Sequence, residues 1–357
     1  MSASSDVLIL GGGPAGSAAA IWAAQCGLCV TLVERSPFPR HRPGETLHPG
    51  IESVLDQLGV SAEVSAHAEI RHQGQTISWR GKTFSSDFGS DADGPWRGYQ
   101  ICRERFDTIL LDRARRLGVT VWQPSAATEM PILSRGRVEG WACPGPMGAR
   151  FVVDASGMRG VLRRALGLAQ LEASSPLRSY YGYGVGDDDC QETPPSLVGN
   201  DRGWLWTARV GKRRFHWTRM NFRPGGDDRG CPPSLRGVHW QGPIRGADVT
   251  WRFVPNCAGP GYFIAGDAAA VLDPASSHGV LRALMSGIMA AHVASTIVSG
   301  QVRESDGIAS YRDWLRAWFE HDARHLRELY GTALSAAQPD FSDNLSGNSR
   351  KPAQSVA

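Results

Sequence analysis

The chain has 357 residues, 41% of them hydrophobic and 20% charged, with a formal net charge of +3. That is enough apolar content for a sizeable core in one large domain or two smaller ones. A charge so near neutral points to no polyanionic partner and sets nucleic-acid binding aside. Seven scattered cysteines fit a reduced compartment. The apolar runs fall short of a membrane span, and the opening MSASSDV has no charged or apolar signal region. A cytoplasmic location is expected, and no metal site.

The chain opens on its most informative stretch, residues 7–35. Residues 7–10 are a short apolar run suited to a buried strand. Gly11, Gly13 and Gly16 follow as G-x-G-x-x-G, and the small residues 16–24 read as a helix packed closely on a sheet. Residues 29–33 predict a second strand, ending at Glu34. Gly11 allows a tight turn, Gly13 lets the backbone approach a pyrophosphate, and Gly16 lets helix meet strand. The helix N-terminus offers free N–H groups to phosphates, and Glu34 can accept bonds from a ribose 2′-OH. Cys26 and Cys29 are expected to be small buried apolar residues rather than a redox or metal pair.

Residues 35–48 are irregular, basic and broken by three prolines. Pro49 then sits at a first helical position, predicting a short helix over 49–58 that stops at Gly59 and has His48 at its N-terminal end. Residues 68–100 alternate weakly, as strands of a separate sheet. An amphipathic helix follows, with Phe106, Ile109, Leu110 and Ala114 on one face. Short strands are expected at 119–122, 138–143 and 150–154. Residues 179–253 turn aromatic and period-2 (SYYGYGV, GWLWTARV, RRFHWTRMNF, VTWRFV), the pattern of β-strands. An apolar strand at 261–265 leads into Gly266-Asp267-Ala268 and Asp273-Pro274. Helices are expected over 280–298 and 311–330, and a disordered tail over 336–357.

Four signals stand in a fixed order: G-x-G-x-x-G with Glu34, Arg103 in R-x-x-F-D, Asp154-Ala-Ser-Gly157, and Gly266-Asp267-Ala268 followed by Asp273-Pro274. Together they resemble the FAD-dependent monooxygenase superfamily of the para-hydroxybenzoate hydroxylase type, which also holds tryptophan halogenases and geranylgeranyl reductases. The resemblance covers residues 5–335. It implies an α/β fold: an FAD-binding Rossmann-like domain from 1–67, 101–175 and 255–335 with C-terminal helices, and an antiparallel β-sheet substrate domain from 68–100 and 176–254. The implied cofactor contacts are Gly11, Gly13, Pro14, Ala15, Gly16, Glu34, Arg35, Arg42, Thr46, Arg103, Asp154, Gly266, Asp267, Pro274, Gly279 and Val280. Asp267 would accept bonds from the ribityl hydroxyls. The backbone near Gly279 and Val280 would stabilise a reduced, anionic flavin. A solvated surface charge is the other reading of Arg42.

Within that superfamily the chain is most similar to LodB-like and QhpG-like flavoproteins, which oxidise a protein-bound tryptophan. The shared features are Arg42-Pro-Gly-Glu45-Thr-Leu-His48, Gly203-Trp204-Leu-Trp206 and Asp273-Pro…Gly-Val280. A halogenase of this group needs a tunnel lysine. Here Arg71 stands at that register before Trp79, Lys82 lies beyond it, and arginine cannot form a chloramine-like adduct. The resemblance therefore implies hydroxylation of an electron-rich aromatic ring, an indole or a tryptophan that a peptide or protein can carry, through a flavin C4a-hydroperoxide. NAD(P)H or a separate flavin reductase would supply electrons. His48 and His278 fall on flavin-facing loops and are candidate proton carriers, with a structural role equally open. Tyr181, Tyr183, Trp204 and Trp206 are candidate substrate-wall residues, each with a core role as the alternative. Halogenase, geranylgeranyl-type reductase and non-catalytic flavoprotein are the competing readings.

Overall fold

The computed structural model describes residues 4–331 apart from 93, 127–129, 143, 144, 146, 188–193, 223–229 and 233–236. The tail expected over 336–357 lies outside the described residues.

Strand β1 (Ser4–Leu10) is buried along its apolar run because it lies inside a sheet with partners on both sides. It pairs in parallel with β2 (Val30–Val33), and helix α1 (Pro14–Gln25) makes the crossover. Chain order continues with β3 (Gly74–Trp79), β4 (Lys82–Asp87), helix α2 (Arg103–Arg116), β5 (Thr120–Trp122) and β6 (Met147–Asp154). The first sheet has eight strands. β5, β2, β1 and β6 run in parallel, and the far side of β6 pairs with Arg137–Trp141 at its start and Tyr262–Ile264 at its end.

The second sheet has seven strands. Its members after β3 and β4 are β7 (Arg178–Gly186), β8 (Ser196–Asn200), β9 (Gly203–Arg209), β10 (Arg214–Asn221) and β11 (Val238–Asp248). The order is β11-β7-β10-β9-β8-β3-β4. All neighbours are antiparallel except β8 and β3, which run in parallel. That junction joins the early and late segments of the chain. A small sheet of Thr46–Leu47, Gly98–Gln100 and Ile70–His72 holds the loop before His48. Beyond it, Pro49–Ile51 and Glu52–Leu58 form a single turn and a helix that stops at Gly59, which is left-handed at φ +67°.

After β12 (Tyr262–Ile264) come two long helices, α3 (Gly279–Val298) and α4 (Glu304–Tyr330). α3 corrects one expectation: its 20 residues are long and apolar enough, by length and composition, to cross a membrane. Here Leu284, Gly287, Ala290, Ala291 and Ala294 are buried in the domain core. A second correction concerns Cys26 and Cys29, which are both exposed. They flank the turn between α1 and β2, where the chain comes out to the surface.

Helices α1 and α3 cross at a point with no room for a side chain. A Cβ on Gly287 would stand 2.0 Å from the Ala15 carbonyl oxygen, and a Cβ on Gly16 1.8 Å from that of Gly11. Gly287→Ala is therefore expected to push the helices apart and to destabilise the fold by roughly 1–3 kcal/mol. Denaturant unfolding of the variant measures this, and an unchanged midpoint would show that the crossing can relax.

Candidate functional site

The glycine turn comes first. Gly11 sits at φ +110° with the Ala155 carbonyl closing over it, so only glycine fits. Gly12 N–H donates to Glu34 Oε2 at 2.7 Å, and Ser36 N–H to Glu34 Oε1 at 2.8 Å. The buried carboxylate of Glu34 thus ties the turn to the end of β2, and each oxygen keeps a second lone pair for another donor. Helix α1 opens on Gly13, which gives no side-chain cap, and on Pro14, which has no N–H. The amides of its first turn are left for a ligand.

Around this turn stand three arginines. Arg40 Nη2 lies 3.2 Å from where a Gly13 Cβ would be, with Glu34 at 3.9 Å and Asp107 at 3.7 Å. Its Nε is buried and accepted by no described group. Arg103 forks onto Asp107 at 2.9 and 3.2 Å and donates to the Pro43 carbonyl at 2.9 Å. Arg282, the one arginine in α3, lines a small hollow with Asp267, Gly266 and Ser286. Asp267 is an exposed residue at the Gly266–Ala268 turn after β12, its carboxyl pKa raised because the acid group itself sits in the hollow, and Gly266 N–H donates to Ser286 Oγ at 2.9 Å. A glycine turn, an uncapped helix start, one buried and two half-buried arginines and an aspartate at the turn suit a pyrophosphate carrying a polyhydroxyl chain. The donor set fits FAD.

The other expected contacts divide. Thr46 donates to the Gln100 side chain at 2.9 Å and lines the cavity described below. Gly279 and Val280 begin α3, whose start also lacks a side-chain cap, with Pro274 exposed just ahead. Asp154 is fully buried, and its oxygens take the Ser156 and Leu162 amides at 3.0 and 2.8 Å. Its carboxylate holds the turn after β6. Arg35 and Arg42 are exposed, and among the described residues Arg42 bonds its neighbour's carbonyl, at 3.3 Å. Sequence reasoning passed over Arg40 and Arg282. For Arg282 a signal existed, a lone guanidinium in a helix of small apolar residues.

Beside the groove is a cavity of about 280 Å³. His48, Phe88, Trp206 and His278 line it, with Gln75, Ser86 and Asp87 from β3 and β4. The rings of His48 and His278 lie 5.1 Å apart, edge to face. His48 Nδ1 accepts from Gly50 N–H at 3.0 Å, capping the turn that Pro49 begins. Burial, then His278 and His72, push its pKa down to about 4. With Nδ1 in use and its ring held neutral by burial, His48 suits the structural role left open for it, the cap of this turn.

The four aromatic candidates share one face of the seven-stranded sheet, as alternation requires: Trp206 pairs with Thr218, Thr218 with Tyr181, and Trp204 and Tyr183 lie two residues away along their strands. Only Trp206 lines the cavity. Tyr183 donates to Glu45 Oε1 at 2.6 Å and stacks on His216 at 4.9 Å, with Tyr181 beside it. These two belong to a buried polar cluster under the 41–45 loop. Trp204 donates to Tyr330 Oη at 3.1 Å, and Tyr330 donates to Asp273 Oδ1 at 2.6 Å. Trp251 donates to Asp273 Oδ2 at 2.7 Å. The aspartate thereby anchors the 273–278 loop to the end of α4, and Trp204 is part of that anchor.

A sequence profile of an FAD binding domain matches residues 4–196, more than half of the chain. The chain belongs to this FAD-binding family. It is a flavin-dependent oxidoreductase of the halogenase and monooxygenase kind. Its relatives include a tryptophan 2-halogenase of Chondromyces crocatus, 26% identical over 92% of this chain and 68% of that protein. A menaquinone reductase of Mycolicibacterium smegmatis is also 26% identical, over 96% of this chain and 87% of the other. Among solved structures, the myxobacterial chondrochloren halogenase CndH superposes with a TM-score of 0.83 at 25% identity, covering 92% of this chain and 83% of that one. The flavin-dependent brominase Bmp2 gives 0.81 at 23%, covering 92% and 87%, a likeness of fold.

In this flavoenzyme, Arg40→Ala is expected to weaken FAD retention ten- to a hundredfold, roughly the loss of one charge-assisted bond to phosphate. Flavin absorbance after gel filtration and a titration with FAD measure it. Tyr330→Phe should leave the Asp273 carboxylate short of a donor and lower stability by about 1.5–3 kcal/mol, read by thermal or denaturant unfolding.

Proposed function

We propose that this flavoenzyme is a monooxygenase that hydroxylates an electron-rich aromatic ring, of the indole class, held in the 280 Å³ cavity. The observation that carries the reading is the lining: the Trp206 and Phe88 rings, three histidines (His48, His72 and His278), and no lysine among the described residues. Arg71 lies outside it, stacked 3.7 Å over Tyr99 and bonded to the Gly98 and Arg97 carbonyls. Lys82 is exposed at the start of β4, opposite Trp79 in register. An amine that could carry an oxidised halogen is thus missing from the lining.

Reduced FAD, when bound, supplies the activated oxygen. The chain's own residues do the rest. Arg40, Arg103 and the α1 start hold the phosphates, and Asp267 orients the linking chain. Trp206 and Phe88 present apolar faces to a ring and keep water off it. His278 holds or gives one proton within the cavity, while His48 stays neutral and fixes the loop. In this reading residues 68–100 and 176–254 act as the substrate-covering unit over an FAD-holding remainder. Electrons come from NAD(P)H or a separate reductase. A polypeptide-held ring fits the reading as well as a free one. One similar protein, 25% identical, is named a chlorinase of a pyrrole carried on a peptidyl carrier protein.

A second reading, halogenation, is favoured by the names of the relatives. FAD-loaded, photoreduced protein mixed with an indole donor under 18O2 separates the two. An 18O-labelled product formed equally with and without chloride or bromide is expected. A halogenated product that vanishes in Lys82→Ala would establish the second reading instead.

A further inference from the structure

His278 closes the 273–278 loop and is the N-cap residue of α3, and its ring lines the cavity. Behind the ring stands α4. Asp322 on that helix is only 5% exposed. Its Oδ2 lies at ion-pair distance from both His278 Nδ1 (3.6 Å) and Arg282 Nη1 (3.4 Å), and is a buried oxygen with no hydrogen-bond donor in place among the described residues. Arg282 sits one helical turn after His278 and faces the cofactor groove through its hollow with Asp267. One carboxylate oxygen therefore serves the cavity histidine on one side and the groove arginine on the other.

We propose that Asp322 is a positioning residue that holds His278 by Nδ1 and so makes it the proton carrier of the cavity. The role as proton carrier rests on the monooxygenase reading, whereas the pairing itself does not. A carboxylate at Nδ1 selects the tautomer with its proton there. Nε2 is then the basic nitrogen left for the cavity, and a proton arriving at Nε2 gives an imidazolium already facing a negative charge. His48 cannot replace it, because its Nδ1 is occupied by Gly50 and its ring is neutral above about pH 4.

The charges that face His278 come from every side. Asp322 and Arg282 stand behind it. His48 is edge-on, and His72 and Asp87 lie across the cavity. His321, beside Asp322, acts on the same carboxylate, which is held below the usual range against burial by the His278 bond and by Arg282. Asp322 is the only one of these acids within ion-pair distance of the ring among the described residues.

The test labels histidine nitrogens and follows each ring by NMR from pH 5 to 9, in FAD-loaded oxidised protein. In the wild type the neutral His278 ring is expected as the Nδ1–H tautomer. Asp322→Asn removes the charge and should weaken the preference of the neutral ring for the Nδ1–H tautomer. Asp322→Glu should recover part of it. A neutral Nε2–H ring in the wild type, or an unchanged tautomer ratio in Asp322→Asn, would overturn the pairing. Should Asp322→Asn fail to fold, the wild-type tautomer decides alone. If the tautomer and its weakening in Asp322→Asn are found but no oxygenated product forms, the pairing stands and the monooxygenase reading falls.

Discussion

The structure depends on one steric constraint, the near contact of α1 with the glycine turn on one side and with α3 on the other. Gly16 lies against the Gly11 carbonyl and Gly287 against that of Ala15, at distances that exclude a Cβ. This brings the start of α1 between two chain segments far apart in sequence. Gly266, whose Cβ would stand 3.0 Å from that of Ala15, joins the same contact. The groove for FAD therefore has the first glycine turn on one wall and the Asp267 turn on the other. The same packing sets the direction of α3, and its first residues carry His278 and Arg282 to the edge of the groove.

Two polar anchors then fix the loops that this packing leaves free. Glu34 holds the glycine turn through two backbone amides. Asp273, fully buried, holds the 273–278 loop through Tyr330 and Trp251 and caps its own turn through Ala275 N–H at 3.0 Å. A buried carboxylate is costly unless it is hydrogen-bonded, and each of these four oxygens accepts at least one bond. The result is a rigid frame on which the more open groups, Asp267, Arg40 and His278, can act on a ligand.

Chemically the two ends of the site differ. The groove end is built of arginines and free amides and suits phosphate. The cavity end is built of Trp206, Phe88 and three imidazoles and suits a flat ring. His278, Asp322 and Arg282 form the seam between them.

The sequence by itself determined the frame. G-x-G-x-x-G between two apolar runs can hardly be anything but a strand-turn-helix, because only glycine tolerates those contacts and that φ. Period-2 aromatic runs likewise determined that Tyr181 and Tyr183 would share one face of their strand, and Trp204 and Trp206 one face of theirs. What they would meet on those faces was decided by tertiary structure alone, since it depends on which loops and helices come to cover each strand. Trp206 met a cavity, Tyr183 met Glu45, and Trp204 met the last residue of α4. The same holds for the charged groups. Three arginines near residue 40 look alike in sequence, and only folding tucks Arg40, half-buried, beside Gly13 while leaving Arg42 in solvent. Nothing local marks Asp322 as the partner of His278, because the pair is made by two helices packing 44 residues apart.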